Sequence, residues 1–271
     1  MTSNFKFLIG KVSILLLLLL ILFGCHSVNP SESPMIGQSA VVTPSGESGV
    51  DFINRGDQLL QSGQYDQAVA AYNEAIEGGH ELARAYAGRG HANMSLRRFK
   101  QALEDFSMSL EYERNPVVLA SRCNAYRLLN DLSSALQDCR EAIELAPENM
   151  DVHIAFAMLL LDKGDIDEAR SEANTAHEIN PNSARPYYIL AQIYSIEGNY
   201  EEAIKSLSEC IEIDPDVPIY YWERGFLYYS LGKVEESKKD MRAVLEYGET
   251  YKDGELMFEA GNLLRSLGEE P

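Results

Sequence analysis

The chain has 271 residues, with 23 Lys and Arg against 42 Asp and Glu, which gives a net charge of −19. Because acidic residues occur throughout the chain, its surface would repel a phosphate backbone, and nucleic acid is not expected as a partner. The 4 cysteines and 5 histidines show no zinc-binding spacing, so neither a metal site nor a cofactor is expected.

Residues 1–24 have the composition of a signal peptide. Lys6 and Lys11 flank the start of an apolar run, Val12–Phe23, in which Ser13 is the only polar side chain. This run is long enough for the core of a signal peptide, but a membrane-spanning helix needs about 20 apolar residues. A retained membrane anchor stays open as an alternative, because lysines near a helix end can extend to the membrane surface.

The apolar run ends in Leu22-Phe23-Gly24-Cys25, which resembles the lipobox of bacterial lipoproteins. The resemblance implies cleavage before Cys25, a diacylglycerol on its sulfur and acylation of the new N-terminus. Phe23 departs from the pattern, in which a smaller residue is commoner. Because each buried methylene contributes about 0.8 kcal/mol, two or three acyl chains hold a protein stably on a bilayer. We therefore expect a lipid anchor in a bacterial cell membrane or outer membrane, with the body on the extracytoplasmic side. Plain secretion is the alternative.

Residues 25–48 begin with the expected lipid attachment site, Cys25, and are otherwise rich in Ser, Pro and Gly. They contain no sustained apolar period, so they cannot bury enough surface to offset the entropy of ordering. We expect a disordered tether between Cys25 and the folded body.

The body, residues 49–251, contains a repeating pattern. An alanine, followed four residues later by a usually bulky residue, recurs every 33 or 34 residues. Proline and glycine recur with the same period, and three markers in one register indicate a repeat built from two amphipathic helices. The alanines are Ala68, Ala102, Ala135, Ala169 and Ala203, the prolines are Pro147, Pro181 and Pro215, and the glycines are Gly63, Gly164, Gly198 and Gly232.

This pattern resembles the tetratricopeptide repeat, and the fifth unit fits it best, with Tyr187, Leu190, Ala191, Tyr194, Ala203, Leu207 and Pro215. The resemblance implies an all-α fold, a right-handed α-solenoid of about six helix pairs. The expected units are 49–82, 83–115, 116–149, 150–183, 184–217 and 218–251. Residues 252–271 then form a capping helix and tail, because Leu256, Ala260, Leu263, Leu264 and Leu267 make one apolar stripe.

The third unit departs most from the pattern, because Cys123 replaces the usual glycine and Cys139 the usual bulky residue. The two positions face each other across the helix pair, and in an exported protein they could form a disulfide. The alternative is a pair of small buried thiols. His153 stands where an aromatic residue is usual, which favours a packed histidine. No nucleophile–base set or phosphate loop stands out, so an enzyme is not expected.

In this family the first helix of each pair lines a concave groove that binds partner segments. The second, fifth, ninth and twelfth residues of each unit face this groove. Ile53 and Asp57 stand where chaperone-binding members carry a Lys and an Asn, which disfavours a chaperone tail as the ligand. The resemblance assigns to the groove Arg84, His91, Asn124, Arg127, Arg185, Tyr188, Gln192, Trp222, Phe226 and Tyr229.

Arginine and aromatic residues dominate binding hot spots, so we expect a partner segment with acidic and apolar anchors. The alternative is that Trp222 and Phe226 pack beneath the capping helix. The resulting hypothesis is a membrane-tethered scaffold or adaptor that binds a protein partner in its groove, in cell-envelope or secretion and pilus assembly. A self-associating structural spacer is the runner-up, and an enzyme with a groove site is less favoured.

Overall fold

The computed structural model describes residues 49–251 and 254–270. The expected signal peptide, Cys25 and tether lie outside the described residues. Within them the chain forms thirteen α-helices and no strand. The helices are α1 (Gly49–Gln61), α2 (Tyr65–Glu77), α3 (Leu82–Ser95), α4 (Phe99–Tyr112), α5 (Pro116–Leu128), α6 (Leu132–Leu145), α7 (Met150–Lys163), α8 (Ile166–Ile179), α9 (Ala184–Glu197), α10 (Tyr200–Ile213), α11 (Pro218–Ser230), α12 (Val234–Tyr251) and α13 (Gly254–Ser266).

The first twelve helices form six successive pairs. In each pair we call the odd-numbered helix the A helix and the even-numbered one the B helix. Each B helix contacts its own A helix and the A helix that follows, and most A helices also contact the next A helix. The buried side chains form a series of clusters along this stack. The expected all-α solenoid is confirmed, and α13 covers its last pair through contacts with α11 and α12.

Each turn between an A helix and its B helix contains one residue in the left-handed region. Four of these residues are glycines, with φ between 72° and 80°: Gly63, Gly164, Gly198 and Gly232. Left-handed glycine ends a helix without steric cost, because it lacks a Cβ. In the second and third units Arg97 (φ 58°) and Asn130 (φ 62°) take the same position. The left-handed turn therefore occurs also in two units that have no glycine there.

Side-chain caps begin several A helices. The Asn115 side chain accepts hydrogen bonds from the backbone N–H groups of Val117 and Val118, and Pro116 occupies the first helical position. Ser183 accepts from the N–H of Arg185 at the start of α9. These caps satisfy N–H groups that have no partner inside the helix.

Helices of one pair meet closely where a small residue on the A helix faces a bulky residue sixteen positions later on the B helix. A Cβ built on Gly56 would lie 2.6 Å from the Tyr72 ring, and one built on Gly90 would lie 2.6 Å from the Phe106 ring. The two glycines therefore face this bulky side chain directly. Substitution of these glycines would force the two helices apart.

In the third unit the same two positions hold Cys123 and Cys139, and the structure joins them by a disulfide with a Cα–Cα distance of 5.6 Å. This distance is typical of disulfides. The bond takes the place of the glycine–bulky contact of other units. His153 is buried, with Nδ1 2.6 Å from a Glu172 oxygen and Nε2 2.7 Å from the Pro147 carbonyl oxygen. It is a packed histidine with a partner on each nitrogen.

Candidate functional site

The residues that the resemblance assigns to the groove lie on four A helices, α3, α5, α9 and α11. Their side chains differ greatly in exposure. Arg84, Arg185 and Tyr229 are exposed, whereas the others are partly buried between neighbouring units. We call the surface formed by these A-helix residues the A-helix surface. Part of it is buried in the interfaces between units and part is open, and the contacts of each residue show to which part it belongs.

The three groove arginines are paired with carboxylates from adjacent units. Arg84 donates to Asp57 of α1 at 2.6 Å, and Arg127 donates to Asp162 of α7 at 2.7 Å. The third pair is formed by Arg185 and Asp151. Exposed pairs of this kind contribute about 0–1 kcal/mol each to stability. Their effect on recognition is larger, because each arginine already has an acid beside it and a partner's acid would have to compete.

An open pocket of about 390 Å³ lies where the A helices of the first three units meet. The His91 ring packs edge-on against Phe106, with ring centroids 5.1 Å apart, and burial lowers the pKa of His91, so the imidazole is neutral at pH 7. The Asn124 amide oxygen accepts two N–H groups of Arg127, which leaves its NH₂ group as the donor. The pocket is thus uncharged and lined by Leu60, Tyr65, His91, Met94, Ser95, Ser121 and Asn124.

Tyr188 belongs to the interface between the fifth and sixth units. Its hydroxyl donates to Glu223 of α11 at 2.6 Å, and its ring lies 5.4 Å from that of Tyr220. Burial, together with the charge of Glu223, raises the pKa of Tyr188, while burial raises the pKa of Glu223 to about 7. Little of Tyr188 is therefore available to a partner, and a substitution there would disturb the contact between units.

Three aromatic side chains follow one another along α11. The ring centroids of Trp222 and Phe226 are 6.3 Å apart, and those of Phe226 and Tyr229 are 6.4 Å apart. Trp222 packs against the cluster that contains Ala260 and Leu264 of α13. Tyr229 is 44% exposed. One end of this patch therefore fits packing and the other fits binding: Trp222 packs beneath α13, whereas Tyr229 is open to a partner.

Sequence reasoning missed a repeated arginine clamp. Arg122 of α5 donates through Nε and Nη2 to both carboxylate oxygens of Asp138, at 2.7 and 2.8 Å, and through Nη1 to Ser107 of the preceding B helix. Arg224 binds Asp240 in the same way and also reaches Ser208. Such bidentate pairs are short and directional. They join α5 and α11 to the B helices on both of their sides.

The second unit carries a closely similar clamp, in which Arg89 donates to Asp105 and to Asn73. In all three units the aspartate follows the arginine by sixteen residues, and this spacing is visible in the sequence. The fifth unit has Leu190 and Ser206 at the two positions. In the fifth unit both charges are therefore absent. The first unit keeps the arginine without the aspartate, because Ala71 follows Arg55 by sixteen residues, and Arg55 pairs instead with Glu74 at 2.6 Å.

No group of three or more potential ligands that could hold a metal ion occurs among residues 49–251 and 254–270. None of the thirteen described helices combines the length and the apolar character that crossing a membrane requires.

Comparisons with known families agree with this geometry. A family model described as "TPR repeat" matches residues 56–96 and 191–232. Two models described as "Tetratricopeptide repeat" match residues 127–193 and 219–249. Together the matches span more than half of the chain and fall on the helix pairs described above.

Curated relatives share the repeats over short segments. Sperm-associated antigen 1 of Mus musculus is 32% identical over 96 residues, which are 35% of this chain and 10% of the mouse protein. Protein PHOX1 of Arabidopsis thaliana is 28% identical over 135 residues, 43% of this chain and 18% of that protein. The chain thus spans less than a fifth of the length of either relative.

Two solved structures, one of them of a TPR protein, have the same fold. A thermophilic TPR protein of Thermus thermophilus, TTC0263, superposes with a TM-score of 0.62 at 20% identity, over 67% of this chain and 98% of that one. Cut9–Hcn1, an APC/C hetero-tetramer, gives a TM-score of 0.70 at 13% identity, over 83% of this chain and 43% of that one. With its repeats matched in sequence and its helix pairs matched in structure, this chain belongs to the tetratricopeptide-repeat family.

Proposed function

We propose that the chain is a scaffold that binds a segment of a partner protein along the A-helix surface of its solenoid. The fold itself is that of a protein-interaction module. The observation that carries the proposal is the open part of that surface, where an uncharged pocket lies at the first three units and the exposed ring of Tyr229 lies at the sixth. Exposed aromatic side chains are typical of binding hot spots.

We further propose that this scaffold is tethered by lipid at Cys25 to the extracytoplasmic side of a bacterial membrane, where it serves cell-envelope or secretion and pilus assembly. The Cys123–Cys139 disulfide supports an oxidising compartment, because such bonds are rare in the cytosol. The proposal predicts that Cys25→Ser releases the protein from the membrane fraction. Unchanged retention of the variant would instead indicate that the apolar run spans the membrane.

A crosslinked pull-down from native membranes, read by mass spectrometry, tests the groove. The test variant is Tyr229→Ala. Tyr112→Ala is a matched control, because Tyr112 is 53% exposed but lies at the end of the B helix α4. Loss of a partner in the first variant, with retention in the second, supports binding at the A-helix surface.

Equal recovery of all partners with both variants would contradict this site. The runner-up is then a structural spacer whose A-helix surface takes another copy of the chain. Light scattering over a hundredfold range of concentration separates the two, since only self-association makes the measured mass rise with concentration.

A further inference from the structure

The last helix has the features of an A helix. After α11, the turn residue Gly232 has a φ of 73°, and after α13 Gly268 has a φ of 78°. The backbone hydrogen bonds of the two turns also correspond. Lys233 donates to the carbonyl of Tyr228, and Glu269 donates to that of Leu264, both across five residues. Helix α13 is thus the A helix of a seventh unit, displaced from the sixth by 36 residues.

This register places side chains of α13 on the groove. Phe258, Asn262 and Arg265 take the positions that Trp222, Phe226 and Tyr229 have on α11. Phe258 is 62% exposed, more than any other large apolar side chain in the part of the chain that the structure describes. Arg265 is exposed as well. The aromatic surface that begins on α11 therefore continues onto the last helix.

Asn262 and Arg265 repeat a pair seen in the third unit. Arg265 Nη2 donates to the Asn262 amide oxygen at 2.6 Å, as Arg127 Nη2 donates to that of Asn124 at 2.8 Å. Arg127 has a second partner, Asp162 of the following A helix. Among residues 49–251 and 254–270, no carboxylate forms an ion pair with Arg265. It differs in this from the groove arginines of the second, third and fifth units.

We propose that α13 is part of the binding surface and that it selects a partner segment with an apolar anchor and a carboxylate. The anchor packs on Phe258, and the carboxylate pairs with Arg265 in the place that Asp162 takes beside Arg127. Phe258 and Arg265 are seven residues apart on one helix, about 10 Å along its axis. An extended segment covers this distance in about three residues. The inference rests on the proposed function, because it assumes that partners bind the A-helix surface.

The test uses the full-length protein in detergent and a displayed library of random twelve-residue peptides. We expect enriched peptides to carry an aromatic or aliphatic residue and an Asp or Glu about three residues from it. The strongest peptide is then synthesised with a fluorescent label, once as selected and once with its acid replaced by the amide. Affinities are measured by fluorescence polarisation.

We expect Phe258→Ala and Arg265→Gln each to weaken binding of the acidic peptide by at least about tenfold. The amide peptide should bind wild type and Arg265→Gln with equal affinity, because this peptide lacks the carboxylate that would pair with Arg265. Tyr112→Ala and Arg97→Gln are the matched controls and should bind as wild type does. Both controls change exposed residues outside the A-helix surface.

Two other outcomes overturn the inference, and they differ in whether the proposed function is also overturned. If the selected peptide ignores both α13 variants but is lost with Asn124→Ala or Tyr229→Ala, the groove binds elsewhere and the proposed function stands. If no peptide is enriched, or none of these variants affects binding, the proposed function fails together with the inference.

Discussion

Tyr188 and Glu223 join the fifth unit to the sixth through a hydrogen bond of 2.6 Å from the tyrosine hydroxyl to the carboxylate. Glu223 stands on α11 at the repeat position that holds Asn54 in the first unit and Gly88, Ser121, Ala155 and Ile189 in the second to fifth units. None of these other residues is charged, and burial raises the pKa of the Glu223 carboxylate from 4.5 to about 7.

This carboxylate makes the stability of the solenoid depend on pH. Because the folded-state pKa lies above the unfolded value, the folded chain holds a proton that the unfolded chain releases. Stability is therefore greatest below about pH 4.5 for this group and is lost as pH rises through about 7. Glu223→Gln keeps an acceptor for Tyr188 and removes the charge. We expect it to raise the free energy of unfolding at pH 8 by on the order of 2 kcal/mol, with little effect at pH 5.

Urea denaturation at the two pH values measures this effect. Glu201→Gln on α10 is the matched control, because Glu201 is exposed. An equal gain at pH 5 and pH 8 would show that the charge of Glu223 is not the cause.

The disulfide should contribute substantially to stability. Cys123 and Cys139 are separated by 16 residues, and closing a loop of this size stabilises a fold by about 3 kcal/mol. We expect the double variant Cys123→Ala/Cys139→Ala to lose about 2–4 kcal/mol in urea denaturation. Alanine is a natural replacement, since the fourth unit has Ala157 and Ala173 at the same positions.

Reductant supplies the control for this prediction. Dithiothreitol should lower the stability of wild type to about that of the double variant and leave the variant unchanged. If dithiothreitol affects both proteins alike, the disulfide is not the source of the difference.

At the left-handed turn positions, we expect stability to fall when a glycine is replaced by alanine and to rise when another residue is replaced by glycine. Gly164→Ala should destabilise the fold by about 1 kcal/mol, because its φ of 80° disfavours a Cβ. A Cβ there would meet no atom within 4 Å, so the cost is confined to the backbone. Arg97→Gly should stabilise by up to about 1 kcal/mol, since it relieves the same strain at a φ of 58°.

Thermal unfolding followed by circular dichroism gives the sign of each change. Gly254→Ala serves as the control, because a Cβ there also meets nothing within 4 Å but no positive φ is involved. A loss in Gly254→Ala equal to that in Gly164→Ala would argue against backbone strain.

The arginine and the aspartate of each clamp should be coupled in their effect on stability. Asp240→Asn leaves Arg224 without its carboxylate in a partly buried site, and we expect a loss of about 3 kcal/mol. Arg224→Leu/Asp240→Ser installs the residues that the fifth unit carries at these positions, Leu190 and Ser206. This double variant should recover at least half of the loss. Additive losses in a double-mutant cycle would mean that the two side chains are not coupled.

The repeat period alone predicted the helix pairs, because two apolar periods and three markers in one register leave few alternatives. It did not predict the role of Tyr188, since the side chains that bury it, Glu223 and Tyr220, come from the next unit. Contacts between units depend on how the helices cross, and the period carries no information about that. The spacing of sixteen residues between Arg122 and Asp138 was visible, but only the structure shows that the two positions face each other.

The identity of the last helix was missed for a different reason. Its displacement of 36 residues breaks the period, and α12 is longer than the other B helices, with 18 residues. The apolar stripe of α13 correctly predicted a helix that covers the sixth unit. Phe258 was left out of that stripe because it lies on the open side.

The position of the disulfide also bears on the mechanics of the solenoid. The bond joins α5 to α6 within one unit and crosses no boundary between units. A solenoid of repeats is elastic, because each unit touches only its neighbours and small rotations between units add up along the chain. The bond therefore stiffens the third unit and leaves the interfaces between units free to bend. If a partner lies across several units as proposed, we expect it to be able to bend the A-helix surface to its own shape.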